Sequence, residues 1–196
     1  MRLLLIGPPG CGKGTQGARI ANRYGVEHIA AGDILREHVT AGTELGARIA
    51  RYIDAGELVP DTVILAMIVP RVLAAAEREG YVLDGFPRSV PQAVEARRIA
   101  QSQGSAVRRA IFLRAPEDEL TARLLRRAEL EGRADDTPTV IRNRLEVFGR
   151  ATAPVLDFYR GLGLLDVVDA TLPPDEVTAR IIAALPPLVR ARSQNP

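Results

Sequence analysis

The stretch GPPGCGKGT, from Gly7 to Thr15, contains residue types that can hold a phosphate group. Its glycines permit backbone conformations with positive φ, so main-chain amides can approach phosphate oxygens closely. An apolar, strand-like run precedes it and a helical pattern follows, and a helix N-terminus adds partial positive charge. Lys13 is the only lysine among 26 basic side chains, and a compact ammonium suits a tight loop better than a broad guanidinium. The sequence therefore predicts a phosphate-binding loop in which Lys13 reaches the terminal phosphates of a nucleotide.

This loop departs from the commonest phosphate-loop pattern at the residue after the lysine. That pattern has serine or threonine there, whereas here Gly14 follows Lys13 and Thr15 comes next. A glycine-rich structural turn is the alternative interpretation, but strand, loop, lysine and helix in register favour phosphate binding. For Cys11, within the loop, a small space-filling side chain is a better account than a reactive thiol.

Composition limits the classes to which the chain can belong. Its 196 residues suit one domain with small inserted lobes. A net charge of +2 and an aromatic content of 4% argue against nucleic-acid binding. No apolar run approaches the roughly 20 residues of a membrane span. The single cysteine excludes an internal disulfide and a multi-cysteine zinc site, which fits a cytoplasmic protein.

Short apolar runs alternate with longer segments of helical periodicity, which predicts an α/β fold with a doubly wound, parallel, five-stranded sheet. Strands are predicted at residues 2–7, 28–32, 81–85, 110–115 and 164–170. Helices are predicted at residues 14–24, 33–40, 43–55, 61–79, 91–103, 116–131, 137–160 with a break near Pro154, and 174–185. Two long intervals, 34–80 and 117–163, either form mobile lobes over a ligand or pack as ordinary helices with a solvated turn.

Five motifs together resemble those of the adenylate kinases, a family of nucleoside monophosphate kinases. They are GPPGCGKGTQ, AAGDILR, GELVPD, LDGFPRSVPQA and GRADD, and their order and spacing extend the resemblance over essentially the whole chain. The resemblance implies a P-loop NTPase type of fold, direct in-line transfer in the reversible reaction ATP + AMP = 2 ADP, Mg²⁺ bound with ATP, and a monomer. It divides the chain into a core of residues 1–30, 61–126 and 138–196, a nucleotide-monophosphate lobe of residues 31–60 and a short lid of residues 127–137.

The family pattern also implies roles for individual residues. Catalytic roles fall on Lys13, Arg88, Arg127, Arg133 and Arg144. ATP binding falls on Gly10, Cys11, Gly12, Lys13, Gly14, Thr15, Arg123, Arg127 and Leu172. AMP binding falls on Ala31, Arg36, Glu57, Leu58, Val59, Gly85, Phe86, Arg88, Gln92, Arg133 and Arg144. Arginine suits these phosphate-binding positions because its planar guanidinium can make two parallel hydrogen bonds to a phosphate. For Arg126 and Arg142 a solvated helix face is the preferred interpretation.

Two groups of aspartates require separate interpretations. Asp84 closes the third predicted strand, at the carboxyl edge where open α/β sheets bind ligands, and is expected to hold Mg²⁺ through water. Asp33 is a second metal candidate, with a helix N-cap as an equally good account. Asp135 and Asp136 either orient lid arginines, as the resemblance implies, or form a solvated acidic turn. The lid lacks the length and the thiols for a zinc site, so no zinc is expected there.

The choice of acceptor depends on two positions. Most adenylate kinases have threonine where this chain has Ala31, and alanine there is typical of the related UMP/CMP kinases. Gln92 occupies the position at which adenylate kinases hydrogen-bond adenine. A bidentate amide contact is worth about 1–3 kcal/mol, and a lost hydroxyl contact costs about 0.5–1.5 kcal/mol. AMP is therefore the expected acceptor, and a UMP/CMP kinase or a broad-specificity kinase is the alternative.

Two other classes of protein share the phosphate loop. A nucleotide switch or hydrolase would also carry the loop and Asp84, but it needs neither Arg36, nor the DGFPR motif, nor a lid. A non-catalytic nucleotide-binding module would tolerate the loss of Lys13 and of the lid arginines, yet all are present. A phosphotransferase accounts for more of the sequence than either.

Overall fold

The computed structural model describes residues 1–131 and 136–186, and its centre is a parallel sheet of five strands. The strands lie in the order β2-β3-β1-β4-β5 and are β1 (Arg2–Ile6), β2 (Glu27–Ala30), β3 (Tyr81–Asp84), β4 (Arg109–Arg114) and β5 (Leu165–Asp169). Each strand predicted from the sequence is present. The central β1 pairs with both β3 and β4, and Leu5 lies opposite Asp84. The loop after β1 therefore begins beside the carboxylate that ends β3.

Helices cover both faces of this sheet. They are α1 (Lys13–Tyr24), α2 (Ala31–Thr40), α3 (Glu44–Ala55), α4 (Asp61–Glu77), α5 (Val90–Ser102), α6 (Glu117–Glu131), α7 (Pro138–Val147), α8 (Ala153–Gly161) and α9 (Pro174–Ala184). The strands need continuous apolar runs because both faces of the sheet are buried. The doubly wound α/β fold predicted from the sequence is confirmed.

Two hydrophobic clusters hold these layers together, one on each face of the sheet. Side chains of β1 alternate between them: Leu3 and Leu5 join the cluster of α1 and α9, whereas Leu4 and Ile6 join that of α4, α5 and α8. All four are at most 3% exposed. Within the described residues no helix combines the length and apolar character that a membrane crossing requires. The packed sheet is a rigid base for the loops at its carboxyl edge.

The start of α2 differs from the prediction. The sequence pattern placed it at Asp33, but the helix begins at Ala31, with Ala30 at the N-cap and no side chain capping it. The reason is that β2 ends at Ala30, which leaves no loop residue between strand and helix. Asp33 therefore lies inside the first turn, where its carboxylate forms an ion pair with Arg36. The N-cap interpretation of Asp33 is wrong.

The helical run after residue 137 is interrupted just before Pro154, as predicted. Proline has no N–H and its ring crowds the carbonyl four residues earlier. Here the chain widens into a π-helical turn, Phe148–Thr152, in which the Ala153 N–H donates to the Phe148 carbonyl. Thr152 is buried, and its Oγ1 donates to the Arg88 carbonyl at 2.9 Å. The π turn thus supports the loop after β3 from behind.

The end of α3 rests on α7. Asn143 Nδ2 donates to the Ala55 carbonyl, and Gly56 approaches Arg144 so closely that a Cβ on Gly56 would lie 2.8 Å from Arg144 Cγ. Gly56 also has a φ of 71°, which disfavours any side chain there. This contact places residues 56–59 next to Arg144.

Candidate active site

The loop between β1 and α1 forms one wall of a large cleft at the carboxyl edge of the sheet. Gly10 and Gly12 have φ angles of 83° and 88°, as a phosphate loop requires, whereas Gly7 and Gly14 do not have positive φ. Gly7 is needed for space, because a Cβ there would lie 2.5 Å from Cys11 Sγ and 2.8 Å from the Leu113 carbonyl. Gly12 is the N-cap of α1 and no side chain caps the helix. The first amides of α1 are therefore available to an anion.

Lys13 lies inside this loop. Its Nζ donates to the carbonyls of Gly7 and Pro8, both at 2.9 Å, and to Cys11 Sγ at 3.6 Å. Three acceptors around a single nitrogen suit an ammonium, whose three N–H groups rotate freely on a flexible stem. These contacts hold the Lys13 ammonium inside the loop, and its role as a point charge beside bound phosphates stays a prediction.

Cys11 is 2% exposed beneath the loop. Burial raises the pKa of its thiol, although Lys13 acts in the opposite direction. A raised pKa means less thiolate at a given pH, and thiolate is the reactive form.

At about pH 8 we expect Cys11 in the folded protein to react with DTNB roughly 100-fold more slowly than in guanidinium chloride. Because the chain has a single cysteine, the absorbance reports Cys11 alone. Equal rates in the two conditions would contradict a structural role for this thiol.

Asp84 faces the loop from the end of β3. Its Oδ2 lies 3.9 Å from the position of a Cβ on Gly14, and the residue is 8% exposed. Burial raises the pKa of the carboxyl, whereas Lys13, His28 and Arg88 lower it. The Asp84 carboxylate accepts no hydrogen bond from the residues that the structure describes, so its oxygens are available to a cation. Such a carboxylate suits Mg²⁺, which prefers oxygen ligands and keeps several waters.

Metal binding at this edge of the sheet would depend on few protein ligands. In residues 1–131 and 136–186 no group of three or more His, Cys, Asp or Glu side chains could hold a metal ion. A magnesium ion at Asp84 would therefore complete its coordination with water and phosphate oxygens. The Asp33 carboxylate is engaged by Arg36, and its metal role stays a prediction.

A smaller cavity, which we call the acceptor cavity, lies between α2, residues 56–59 and the loop after β3. It brings together eight of the predicted acceptor residues: Arg36, Glu57, Leu58, Val59, Gly85, Arg88, Gln92 and Arg144. Ala31 and Phe86 lie behind its wall, 1% and 2% exposed, and do not line it. Position 31 is nevertheless adjacent, since a Cβ on Gly85 would lie 3.9 Å from the Ala31 Cβ.

Arg88 is held on several sides in this cavity. Its Nε donates to the Gly85 carbonyl and its main-chain N–H donates to Gln92 Oε1, both at 2.7 Å. Burial lowers the pKa of the Arg88 guanidinium, whereas the Asp84 carboxylate raises it, and arginine stays protonated in proteins. A partly buried guanidinium in a fixed orientation can bind a phosphate through two parallel hydrogen bonds.

Asp136 organises two of the predicted catalytic arginines. Its side chain is fully buried, and its Oδ2 accepts a hydrogen bond from Arg127 Nε at 2.7 Å while its Oδ1 lies 2.6 Å from Arg144 Nη1. The burial of Asp136 makes the solvated-turn interpretation wrong for this residue, and its two arginine contacts support the orienting one. Arg133 and Asp135 lie outside the described residues.

A larger cleft of about 690 Å³ joins the phosphate loop to these arginines. The predicted donor residues all line it: Gly10, Cys11, Gly12, Lys13, Gly14, Thr15, Arg123, Arg127 and Leu172. Arg123 is fixed by hydrogen bonds to the Ala170 carbonyl at 2.9 Å and to Glu119 Oε1 at 2.8 Å. Arg126 is exposed, as its solvated interpretation implies, but it also lines the cleft.

Three residues that support the site were missed from the sequence. Asp61 accepts a hydrogen bond from Gln92 Nε2 at 2.7 Å, and the GELVPD motif that contains it was the available signal. Thr152 and Asn143 had no such signal. Their partners Arg88 and Ala55 are 64 and 88 positions away in the chain.

Comparison with known proteins identifies the family. The family model described as "Adenylate kinase" matches residues 5–164. Adenylate kinase of Kocuria rhizophila is 48% identical over 184 residues, covering 94% of this chain and 98% of that one. The adenylate kinase of Thermus thermophilus is 45% identical over 183 residues (93% and 96% covered). That of Stenotrophomonas maltophilia is 43% identical over 185 residues (94% and 99% covered). Since these matches span nearly the full length of each chain, this chain belongs to the adenylate kinase family, whose members are phosphotransferases.

Proposed function

We propose that the chain catalyses the reversible transfer of the γ-phosphoryl group from Mg-ATP directly to AMP, which forms two molecules of ADP. The observation that carries this proposal is that Arg36, Arg88 and Arg144 line both the acceptor cavity and the larger cleft. If each cavity binds one nucleotide, the phosphoryl group in transfer lies between the two nucleotides, next to these shared arginine side chains. A hydrolase of ATP alone has no use for the second cavity.

In-line transfer requires positioning and cations around the migrating phosphoryl group, and it needs no covalent intermediate. In this proposal Lys13 and the first amides of α1 bind the donor phosphates, while Arg36 and Arg88 hold the acceptor phosphate. Arg127 and Arg144, oriented by Asp136, flank the group in transfer, and Arg133 is assigned to it as well. Mg²⁺ bound with ATP neutralises phosphate charge, and Asp84 would hold it through water.

The proposal divides the chain into three functional parts. Residues 31–60 form the nucleotide-monophosphate lobe and residues 127–137 the lid, on a core of the remaining residues. Closure of these lobes over both nucleotides would exclude water and so protect the γ-phosphate from hydrolysis. The proposal includes a monomeric, cytoplasmic protein that binds ATP and AMP, and no zinc in the lid.

A turnover assay tests this function. The purified protein is incubated with Mg-ATP and, separately, AMP, CMP, UMP, GMP or no acceptor, and ADP formation is followed. We expect rapid turnover with AMP. Equal ATP consumption without an acceptor would show a hydrolase instead, and turnover only with CMP or UMP would overturn the proposed acceptor.

The alanine at position 31 relaxes the choice of acceptor in this proposal. Ala31 lies beside Gly85, directly behind the cavity wall, and a threonine hydroxyl there would add one hydrogen bond near the base. We expect Ala31→Thr to raise the AMP/CMP ratio of kcat/KM roughly 2- to 10-fold. Ala31→Val, which has the shape of threonine without its hydroxyl, is the matched control. An unchanged ratio in Ala31→Thr, or the same rise in Ala31→Val, would refute the hydroxyl argument.

A further inference from the structure

We propose that Asp61 and the main chain of Arg88 lock the Gln92 amide in one orientation, which restricts the acceptor to bases with an amino group beside an unprotonated ring nitrogen. Adenine and cytosine have that arrangement, and hypoxanthine and uracil do not. The inference rests on the proposed function, because it places the acceptor base against Gln92. It makes Asp61 a positioning residue that determines specificity.

The lock follows from the chemistry of the two partners. Gln92 Nε2 donates to the Asp61 carboxylate at 2.7 Å, and Gln92 Oε1 accepts from the Arg88 N–H at 2.7 Å. An ionised carboxylate only accepts hydrogen bonds and a main-chain N–H only donates them. A reversed amide would set its carbonyl against the carboxylate and its NH₂ against the N–H. Gln92 is 2% exposed, so water does not satisfy the reversed arrangement.

The locked amide still has bonding capacity. An amide nitrogen carries two N–H donors and an amide oxygen has two lone pairs, and the lock uses one of each. Gln92 lines the acceptor cavity, so the remaining N–H and lone pair are the groups that it offers to a base. The amino group of a base can donate to Gln92 Oε1, while the neighbouring ring nitrogen of the base accepts from the remaining N–H of Gln92 Nε2. A keto base presents an oxygen and a ring N–H in the opposite order, which would require a reversed amide.

A purely structural role for Asp61 predicts a different outcome. Asp61 is the first residue of α4, where a negative charge interacts favourably with the helix dipole and so stabilises the helix. Loss of that charge would lower stability without altering the choice between two bases of equal size. The base-selectivity ratio therefore separates the positioning role from the structural one.

Two substrate pairs isolate the effect: AMP against IMP, and CMP against UMP. The two bases in each pair have the same ring system and differ at the amino or keto position and the adjacent ring nitrogen. In the wild type we expect kcat/KM to favour the amino member of both pairs, by roughly 100-fold for AMP over IMP. Asp61→Asn is nearly isosteric, and its own amide can pair with Gln92 in either orientation. We expect it to lower both ratios roughly 10-fold while kcat with AMP stays within about threefold.

The controls keep the test decisive. Asp54→Asn makes the same chemical change at an exposed position of α3 and should leave both ratios unchanged. Asp61→Ser, whose hydroxyl both donates and accepts, repeats the test should the asparagine variant not fold. Ratios in Asp61→Asn or Asp61→Ser equal to the wild type, with or without a lower Tm, would overturn the lock. So would equal use of AMP and IMP by the wild type. Failure of the wild type to turn over AMP would instead refute the proposed function.

Discussion

Replacing Lys13 with arginine should lower kcat for ADP formation by about 10²- to 10³-fold, the usual loss when a preorganised charge donor is displaced. The substitution keeps the positive charge, so the effect isolates size and geometry. Lys13 Nζ has the Gly7 and Pro8 carbonyls at 2.9 Å, and a planar guanidinium is too broad for that space. Steady-state kinetics with ATP and AMP would measure the loss.

The reverse exchange on the same helix serves as the control. Arg23 lies exposed in the last turn of α1, and Arg23→Lys should leave kcat unchanged. A Tm for Lys13→Arg close to that of the wild type would show that the fold is intact. Should Lys13→Arg retain near-normal kcat, the point-charge role of Lys13 would be wrong.

Replacing Asp136 with asparagine should lower kcat by about 100-fold. The Asp136 side chain is 0% exposed and pairs with Arg127 and Arg144, which are 28% and 19% exposed. The loss of a preorganised donor at a reacting group costs about 2.7–4 kcal/mol in the transition state, and the partial exposure of both arginines favours the lower end of that range. A loss of about 3 kcal/mol in the transition state corresponds to roughly 100-fold in rate. We expect the effect on kcat to exceed the effect on either KM, since the proposed function assigns both arginines to the group in transfer.

An exposed ion pair provides the comparison for Asp136→Asn. Asp157 pairs with Arg160 at the surface of α8, where both side chains are largely exposed. Asp157→Asn makes the same chemical change at a site worth about 0–1 kcal/mol and should leave kcat unaltered. A normal kcat in Asp136→Asn would show that the buried carboxylate is not needed to orient Arg127 and Arg144.

These two predictions differ in how far the sequence alone could support them. The Lys13 loop is contiguous, so its glycines, its lysine and the flanking apolar and helical patterns are all readable along the chain. For Asp136 the sequence left an orienting role and a solvated turn equally supported. Burial and the two arginine contacts decided between them, and neither is a local property.

Element boundaries show the same distinction on a smaller scale. The five strands and the break before Pro154 follow from hydrophobic runs and from the missing N–H of proline, which are local causes. The start of α2 was placed two residues late, because Asp33 is a good N-cap type by itself. It is the end of β2 at Ala30, set by pairing with β3, that starts the helix earlier.

The sequence by itself determined the fold class, the glycine-rich loop after β1 and five of the arginines that line the two cavities, which are Arg36, Arg88, Arg123, Arg127 and Arg144. Periodicity and short motifs carry that information because each depends on residues that are neighbours in the chain. Only the tertiary structure decided which partners hold those residues: Asp136 for Arg127 and Arg144, Asp61 and Arg88 for the Gln92 amide, and Thr152 for the Arg88 carbonyl. Hydrogen bonds and ion pairs act over a few ångströms, and folding alone brings groups from distant parts of the chain to that distance.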